Sequence, residues 1–312
     1  MNFKANGGEY TLDKNIRDLY VPDWREMLKP SKKRDIVSYP YIQALWLIKA
    51  EENLYKIGES LVGKNILEIG CGYGNHCYLM AKYEGTKVHG IDVDEYIVDQ
   101  SPDLNNWNPE DVKYTHDKLE NIRKVLGSKF PEISDKVTFG TCRIEDFVAS
   151  NQYDVIFSFD VLEHVLNLPL AFERMSSALK KGGIAYHEYN PFFSVNGGHS
   201  LCILDFHYGH CRLTKEDFER YIREIRPNEE KIALNFYHKC LNRATIKHVK
   251  ECAKNSGFEI LKIVGESVFK APENTVRKEL EQNILPDVVK IYPDVTVEDL
   301  LWSSIHLILR KL

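Results

Sequence analysis

LEIGCGYGNH, residues 67–76, sets glycines at 70, 72 and 74 directly behind a short apolar run. A backbone this bare can turn sharply at a strand end and let a ligand approach to van der Waals distance. The free amides at the start of the following helix favour an anionic group there. The stretch therefore reads as strand, turn and helix, with a binding site at the turn. In an open parallel sheet, ligands settle outside the carboxyl ends of the strands, at this kind of handover. The glycines alone do not choose a ligand, because nicotinamide and flavin sites open the same way. The dinucleotide fingerprint G-x-G-x-x-G needs its third glycine at position 75, however, and this chain has Asn75 there.

Outward from the turn the pattern alternates. NILEI (65–69) reads as a strand, 75–84 as a helix and KVHGID (87–92) as a strand; Val112, Leu119, Ile122 and Val125 then mark one face of a helix ending at Gly127. KVTFG (136–140) and YDVIFSF (153–159) are strands, 169–180 is a helix closed by Gly182 and Gly183, and IAYHEY (184–189) is a fifth strand. A helix near 245–256, the strand FEILKIVG (258–265) and a last strand in SSIHLILRK complete the series. Near-continuous apolar strands separated by helices predict an α/β fold with a doubly wound, seven-stranded, mostly parallel sheet.

Two segments stand outside this rhythm. Residues 1–62 predict an N-terminal helical cap, with Ile48, Leu54, Tyr55, Ile57 and Leu61 as the apolar face of a stretch behind Pro40. Within the main domain, 63–312, residues 191–243 form an insertion after the fifth strand, a candidate lid. It closes with a helix over 213–225, N-capped by Thr214 with Asp217 in its first turn.

The net charge of −5, with both signs mixed along the chain, gives no general pull toward nucleic acid or anionic membrane. The basic knot KPSKKR (29–34) reads as a solvated loop. Seven cysteines without a C-x-x-C pair read as reduced thiols. No apolar run reaches the roughly 18 residues of a membrane span, and MNFKANGGEY lacks a signal-peptide core. The expectation is a cytoplasmic protein with a small-molecule substrate, no nucleic-acid or membrane partner, and a homodimer as its possible assembly.

LEIGCGYG resembles motif I of the class I (Rossmann-like) methyltransferases that use S-adenosylmethionine, in particular their small-molecule, type 11/12-like group. The likeness runs from about residue 60 to the C-terminus. CRIEDF (142–147), YDVIFSFDVLEHV (153–165) and ALKKGGIAYHEYNP (178–191) resemble further family segments in the family's order. The resemblance implies S-adenosylmethionine as cofactor. Glu68, Gly70, Cys71, Gly72, Tyr73, Gly74 and Asn75 would then shape its methionine end. Asp92, 18 residues after Gly74 and followed by Val93, would accept its ribose hydroxyls. Ile144 and Glu145 would border the adenine, and Asp160 would stand nearby. Arg143 occupies a position where the family commonly has Asp, which removes the usual contact to the adenine amino group.

Methyl transfer from a sulfonium is an in-line displacement, and an alcohol acceptor must also lose a proton. His187, His199, His207 and His210 fall within 24 residues around the insertion. His199 is the first candidate base, His210 the second, and His164 in LEHV a third. His207, His210 and Cys211 supply metal-type donors but lack the spaced pairs of zinc frameworks, so no metal is expected. The reading is O-methylation of a small polar metabolite or sugar-containing intermediate. N-methylation of an amine, a non-catalytic S-adenosylmethionine-binding module, nucleic-acid or protein methylation, and a dehydrogenase stand as alternatives.

Overall fold

The computed structural model describes residues 1–5, 8–22, 24–27, 40–93 and 109–312. The basic knot at 29–34 and the side chain of Val112 lie outside the described residues. The sheet contains β3 (Asn65–Ile69), β4 (Lys87–Asp92), β5 (Val137–Thr141), β6 (Tyr153–Phe159), β7 (Leu179–Tyr189), β8 (Phe258–Glu266) and β9 (Ser304–Lys311). Their order is β5-β4-β3-β6-β7-β9-β8, parallel except for β9, which runs antiparallel to both its neighbours. The sequence order reverses between β3 and β6, so the crevice of the fold opens at the end of β3, where the glycines stand.

Strand and helix starts follow from local chemistry. Four consecutive side chains of β3 and five of β6 are buried, as expected for strands covered on both faces. The helix Leu168–Ala178 begins where Asn167 accepts the Leu170 amide, and it buries Ala171, Phe172, Met175 and Ala178 against the sheet. Thr214 caps Lys215–Ile225 by accepting the Asp217 amide, and Thr245 caps Ile246–Asn255 in the same way.

Several expectations are corrected. The helix Pro40–Tyr55 packs through Leu47, Ala50 and Leu54, whereas Ile48 and Tyr55 are 50% and 82% exposed; the buried face is rotated from the one the sequence suggested. The helix Pro109–Lys129 runs through Gly127, which packs close to the Tyr78 hydroxyl, and leaves Val125 exposed. Gly182 and Gly183 lie inside β7 and do not close the preceding helix, which ends at Ala178.

The N-terminus opens with a β-hairpin, β1 (Asn2–Ala5) with β2 (Gly8–Thr11), where a helical cap was expected. Phe3 and Tyr10 from this hairpin enter a second core with Phe206, Phe218, Tyr237 and Leu300. That core joins three distant segments: the N-terminus, the insertion after β7, and residues 267–303 between β8 and β9. The last contains the helices Glu273–Asn283, Leu285–Val288 and Val297–Leu301, which the sequence pattern left unassigned.

Asp299, 1% exposed, fastens the two cores together. Its carboxylate accepts the amide of Ile246, which opens a helix of the sheet layer, at 2.7 Å, and the amide and hydroxyl of Thr296 at 2.8 Å each. Asp299→Ala leaves these donors without an acceptor, and urea unfolding of the variant should show a loss of about 2–4 kcal/mol.

Candidate active site

Gly70, Gly72 and Gly74 all adopt positive φ, at 72°, 50° and 85°. At Gly70 a Cβ would meet Val161 Cγ2 at 2.2 Å, and at Gly74 it would meet the Phe139 ring at 2.4 Å. Conformation and space thus both demand glycine at these two positions. The turn is pinned from three sides. The amides of Gly70 and Cys71 donate to the Ile91 carbonyl on β4, the Gly72 amide donates to Asp92 Oδ2 at 2.5 Å, and Arg123 donates to the Gly72 carbonyl at 2.7 Å. The other Asp92 oxygen accepts the Val93 amide at 2.6 Å. Burial raises the Asp92 carboxyl above its ordinary range, against the lowering effect of the two amides.

Glu68 is buried beside the turn. Its oxygens meet His76 Nδ1 and the Cys77 thiol, both at 2.9 Å, and so tie β3 to the helix Asn75–Met80. Burial, the main cause, holds the Cys77 thiol well above its ordinary value.

A cleft opens beyond the turn. Of the residues singled out from sequence, Gly70, Asp92, Val93, Ile144, Glu145, Asp160 and His164 line it. Arg143 does too, beside the short 3-10 turn Ile144–Asp146. Glu68, Cys71, Gly72, Tyr73, Gly74 and Asn75 are not among its wall residues; they build the turn behind it. Asp160 holds a φ of +52°, and burial pushes its carboxyl up to about 6.

The histidines separate in space. His164 lines the cleft, with Nδ1 2.5 Å from the Cys240 carbonyl and its ring centroid 5.0 Å from that of His199. Burial lowers His164 to about 4 and His199 well below its ordinary value. His210 is buried with Nε2 2.8 Å from the carbonyl of Phe192, a residue of the second core, and is not among the residues that line the cleft. His207 is exposed and 3.0 Å from the Tyr20 hydroxyl. His187 belongs to β7 and is fully buried, 2.7 Å from Ser158 Oγ.

Sequence reasoning missed Arg123, Glu163 and Asn242. Arg123 sits on a helix face that its neighbours mark as mixed, and only the folded chain brings it to Gly72. Asn242 donates its amide to the Glu163 carbonyl at 2.8 Å and its side chain to the carbonyls of Leu162 and Val165, clamping the turn that carries His164.

The strand order, the glycine turn and the acid closing β4 define a class I, Rossmann-like methyltransferase. Residues 46–263 match the family model described as a methyltransferase domain. The chain belongs to that family and is a methyltransferase dependent on S-adenosylmethionine. It is 25% identical over 221 residues to a malonyl-[acyl-carrier protein] O-methyltransferase of Ilyobacter polytropus, covering 69% of this chain and 74% of that one. It is 32% identical over 127 residues to a ubiquinone biosynthesis O-methyltransferase of Vibrio vulnificus, with 40% and 43% covered. A phosphoethanolamine N-methyltransferase of Caenorhabditis elegans is 28% identical over 137 residues, with 43% and 26% covered. The last two matches span less than half of those relatives. Among solved structures, geranyl diphosphate C-methyltransferase from Streptomyces coelicolor A3(2) aligns with a TM-score of 0.48 at 13% identity, over 85% of this chain and 77% of that one. No helix among the described residues is long and apolar enough to cross a membrane.

His187 sets a pH dependence. Burial depresses its pKa to about 3, so the folded state resists a proton that the unfolded chain takes up near 6.5. Its share of the stability is complete above pH 6.5 and is lost as pH falls toward 3. Urea unfolding of His187→Gln should lose about 2 kcal/mol less than the parent between pH 7 and pH 5.

Proposed function

We propose that this methyltransferase transfers its methyl group to a hydroxyl of a small polar metabolite or sugar-containing intermediate, held between the cleft and the 191–243 insertion. The observation that carries the reading is the pairing of His164 with His199, which brings a turn of the sheet domain and the insertion together at the cleft. A hydroxyl acceptor sheds its proton near the transition state and needs an acceptor for it. Both imidazoles are uncharged at neutral pH, since burial lowers them. Each can therefore accept a hydrogen bond from the hydroxyl. His199 acts as the base and His164 orients; His210, bound to Phe192 in the second core, takes no part.

S-Adenosylmethionine supplies an electrophilic methyl group on sulfur. The residues around its place fit it. The Asp92 carboxylate has about four acceptor positions, of which the Gly72 and Val93 amides use two, leaving room for both ribose hydroxyls. At Gly72 no atom of the described residues lies within 4 Å of where a Cβ would stand, which supports a methionine end approaching the turn on that side. Cys71, Tyr73, Gly74 and Asn75 shape that turn. Ile144 and Glu145 border the adenine, with Arg143 in place of the family's acid, and Val93 and Asp160 close the sides.

Two measurements test the reading. Calorimetry with S-adenosylhomocysteine should show binding weakened about 10- to 100-fold in Asp92→Ala, from the loss of charge-assisted hydrogen bonds. In a panel of hydroxyl and amine acceptors, hydroxyl turnover should fall about 100-fold in His199→Asn while S-adenosylhomocysteine binding is retained. Methylation of amines alone, or unchanged turnover in His199→Asn, would remove the hydroxyl proposal.

A further inference from the structure

We propose that Glu163, His164 and His199 form a binding site for one divalent first-row transition-metal ion of the zinc or cobalt type, open on its cleft side to an oxygen of the acceptor. The acceptor oxygen rests on the hydroxyl reading above, with one change of role: His199 would be a ligand and not the base when the ion is bound, and the ion would lower the hydroxyl's pKa so that its proton leaves to water. The ion site itself stands on the arrangement of the three side chains.

The donor atoms of these residues lie within 4.8 Å of one another; ligands about 2.1 Å from a tetrahedral ion stand roughly 3.4 Å apart, so side-chain shifts of about 1 Å bring the three into one shell. Each side chain is prepared on its far side. The His164 Nδ1–H donates to the Cys240 carbonyl, which leaves Nε2 with the lone pair; ligating histidines almost always have their second nitrogen fixed in this way. Glu163 is 2% exposed; its Oε1 accepts the Asn190 amide at 3.1 Å, and its Oε2 is buried with no hydrogen-bond partner. His199 Nε2 is likewise buried and unpartnered. Buried polar atoms without partners are rare in folded proteins, and here two of them fall within one cluster of potential ligands. A single cation would satisfy both.

Charge and ligand type point the same way. Asp160 and Glu188 lie within electrostatic reach of Glu163, so three carboxyl groups converge on this point; burial first, then these two neighbours, raises the Glu163 carboxyl. Two imidazole nitrogens and one carboxylate oxygen suit zinc, cobalt or iron better than magnesium or calcium, which prefer all-oxygen shells. Three protein ligands with one open position is the pattern of catalytic rather than structural zinc. The donors His207, His210 and Cys211, whose spacing gave no metal framework in the sequence, have other surroundings in the fold: His207 meets the Tyr20 hydroxyl, His210 the Phe192 carbonyl, and Cys211 lies in the second core.

The ion would also bridge two parts of the chain. His164 and Glu163 follow β6, while His199 opens a short helix of the insertion, so coordination clasps the insertion to the sheet domain.

Cobalt(II) titration of chelator-treated full-length protein tests the site. The expected result is one ion bound per chain, with a visible absorption band of nitrogen-coordinated cobalt and a raised unfolding temperature. His199→Asn is the informative variant, because Asn accepts the positive φ of 49° at this position and should keep the fold. Its cobalt affinity should fall at least about 100-fold, and so should that of Glu163→Gln, with S-adenosylhomocysteine binding retained in both as the check on folding. Absence of stoichiometric cobalt binding, or equal binding by the parent and His199→Asn, overturns the inference. Cobalt binding lost in the variants alongside methylation of amines alone would uphold the ion site and remove the hydroxyl proposal instead.

Discussion

The hydrogen bond from the Gly72 amide to Asp92 Oδ2, 2.5 Å long, is the constraint on which the site turns. It joins the turn after β3 to the end of β4, so the position of the bare backbone and the position of the carboxylate are set by one contact. β3 and β4 pair in register from Asn65↔Lys87 to Ile69↔Ile91, and the hydrogen bond continues that pairing one step past the sheet. Arg123 adds a cation to the same turn through the Gly72 carbonyl and lies over the Phe139 ring, 4.6 Å from its centroid. A Cβ on Gly74 would strike that ring. Gly70 and Gly74 are thus required by protein packing.

The second core changes what the insertion is. A 53-residue segment hanging from β7 as a free lid would place its side chains loosely. Here it shares apolar packing with the N-terminal hairpin and with the helices between β8 and β9, and Phe218 stacks on Tyr237 at 3.9 Å. Rigid support of this kind is what holds a functional side chain in a fixed pose. His199 is held against His164, which lines the cleft, by a body that three parts of the chain build.

The sheet was legible because burial on both faces leaves long apolar runs, and Asp92 because family order and strand ends coincide. The histidines show where that legibility stops. Density within 24 residues marked the insertion as chemically dense, but His199 and His210 come from the same stretch and meet different partners, His199 the His164 ring and His210 the Phe192 carbonyl. Nothing periodic in 191–212 tells which side chain faces inward, because its helices, His199–Cys202 and Gly209–Arg212, are only four residues each. The helix Pro40–Tyr55 fails more mildly: its pattern identifies a helix, yet Leu47 and Ala50 take the buried face from Ile48 and Tyr55. Contacts such as Arg123 to Gly72, 51 residues apart, leave no local mark at all.

Residues 240–242 explain how the cleft and the insertion act as one unit. Cys240 takes the His164 ring through its carbonyl, and Asn242 takes the backbone of the same turn at Leu162, Glu163 and Val165. The chain leaving the insertion therefore fixes the residues that the insertion's entry faces through His199. Displacing the insertion would break hydrogen bonds to Glu163 and His164 and open the His164–His199 pair together. Because the polar groups so exposed are buried among apolar walls, partial opening leaves them without partners and is costly. The arrangement accordingly resists displacement of the insertion and holds the His164–His199 pair in one pose.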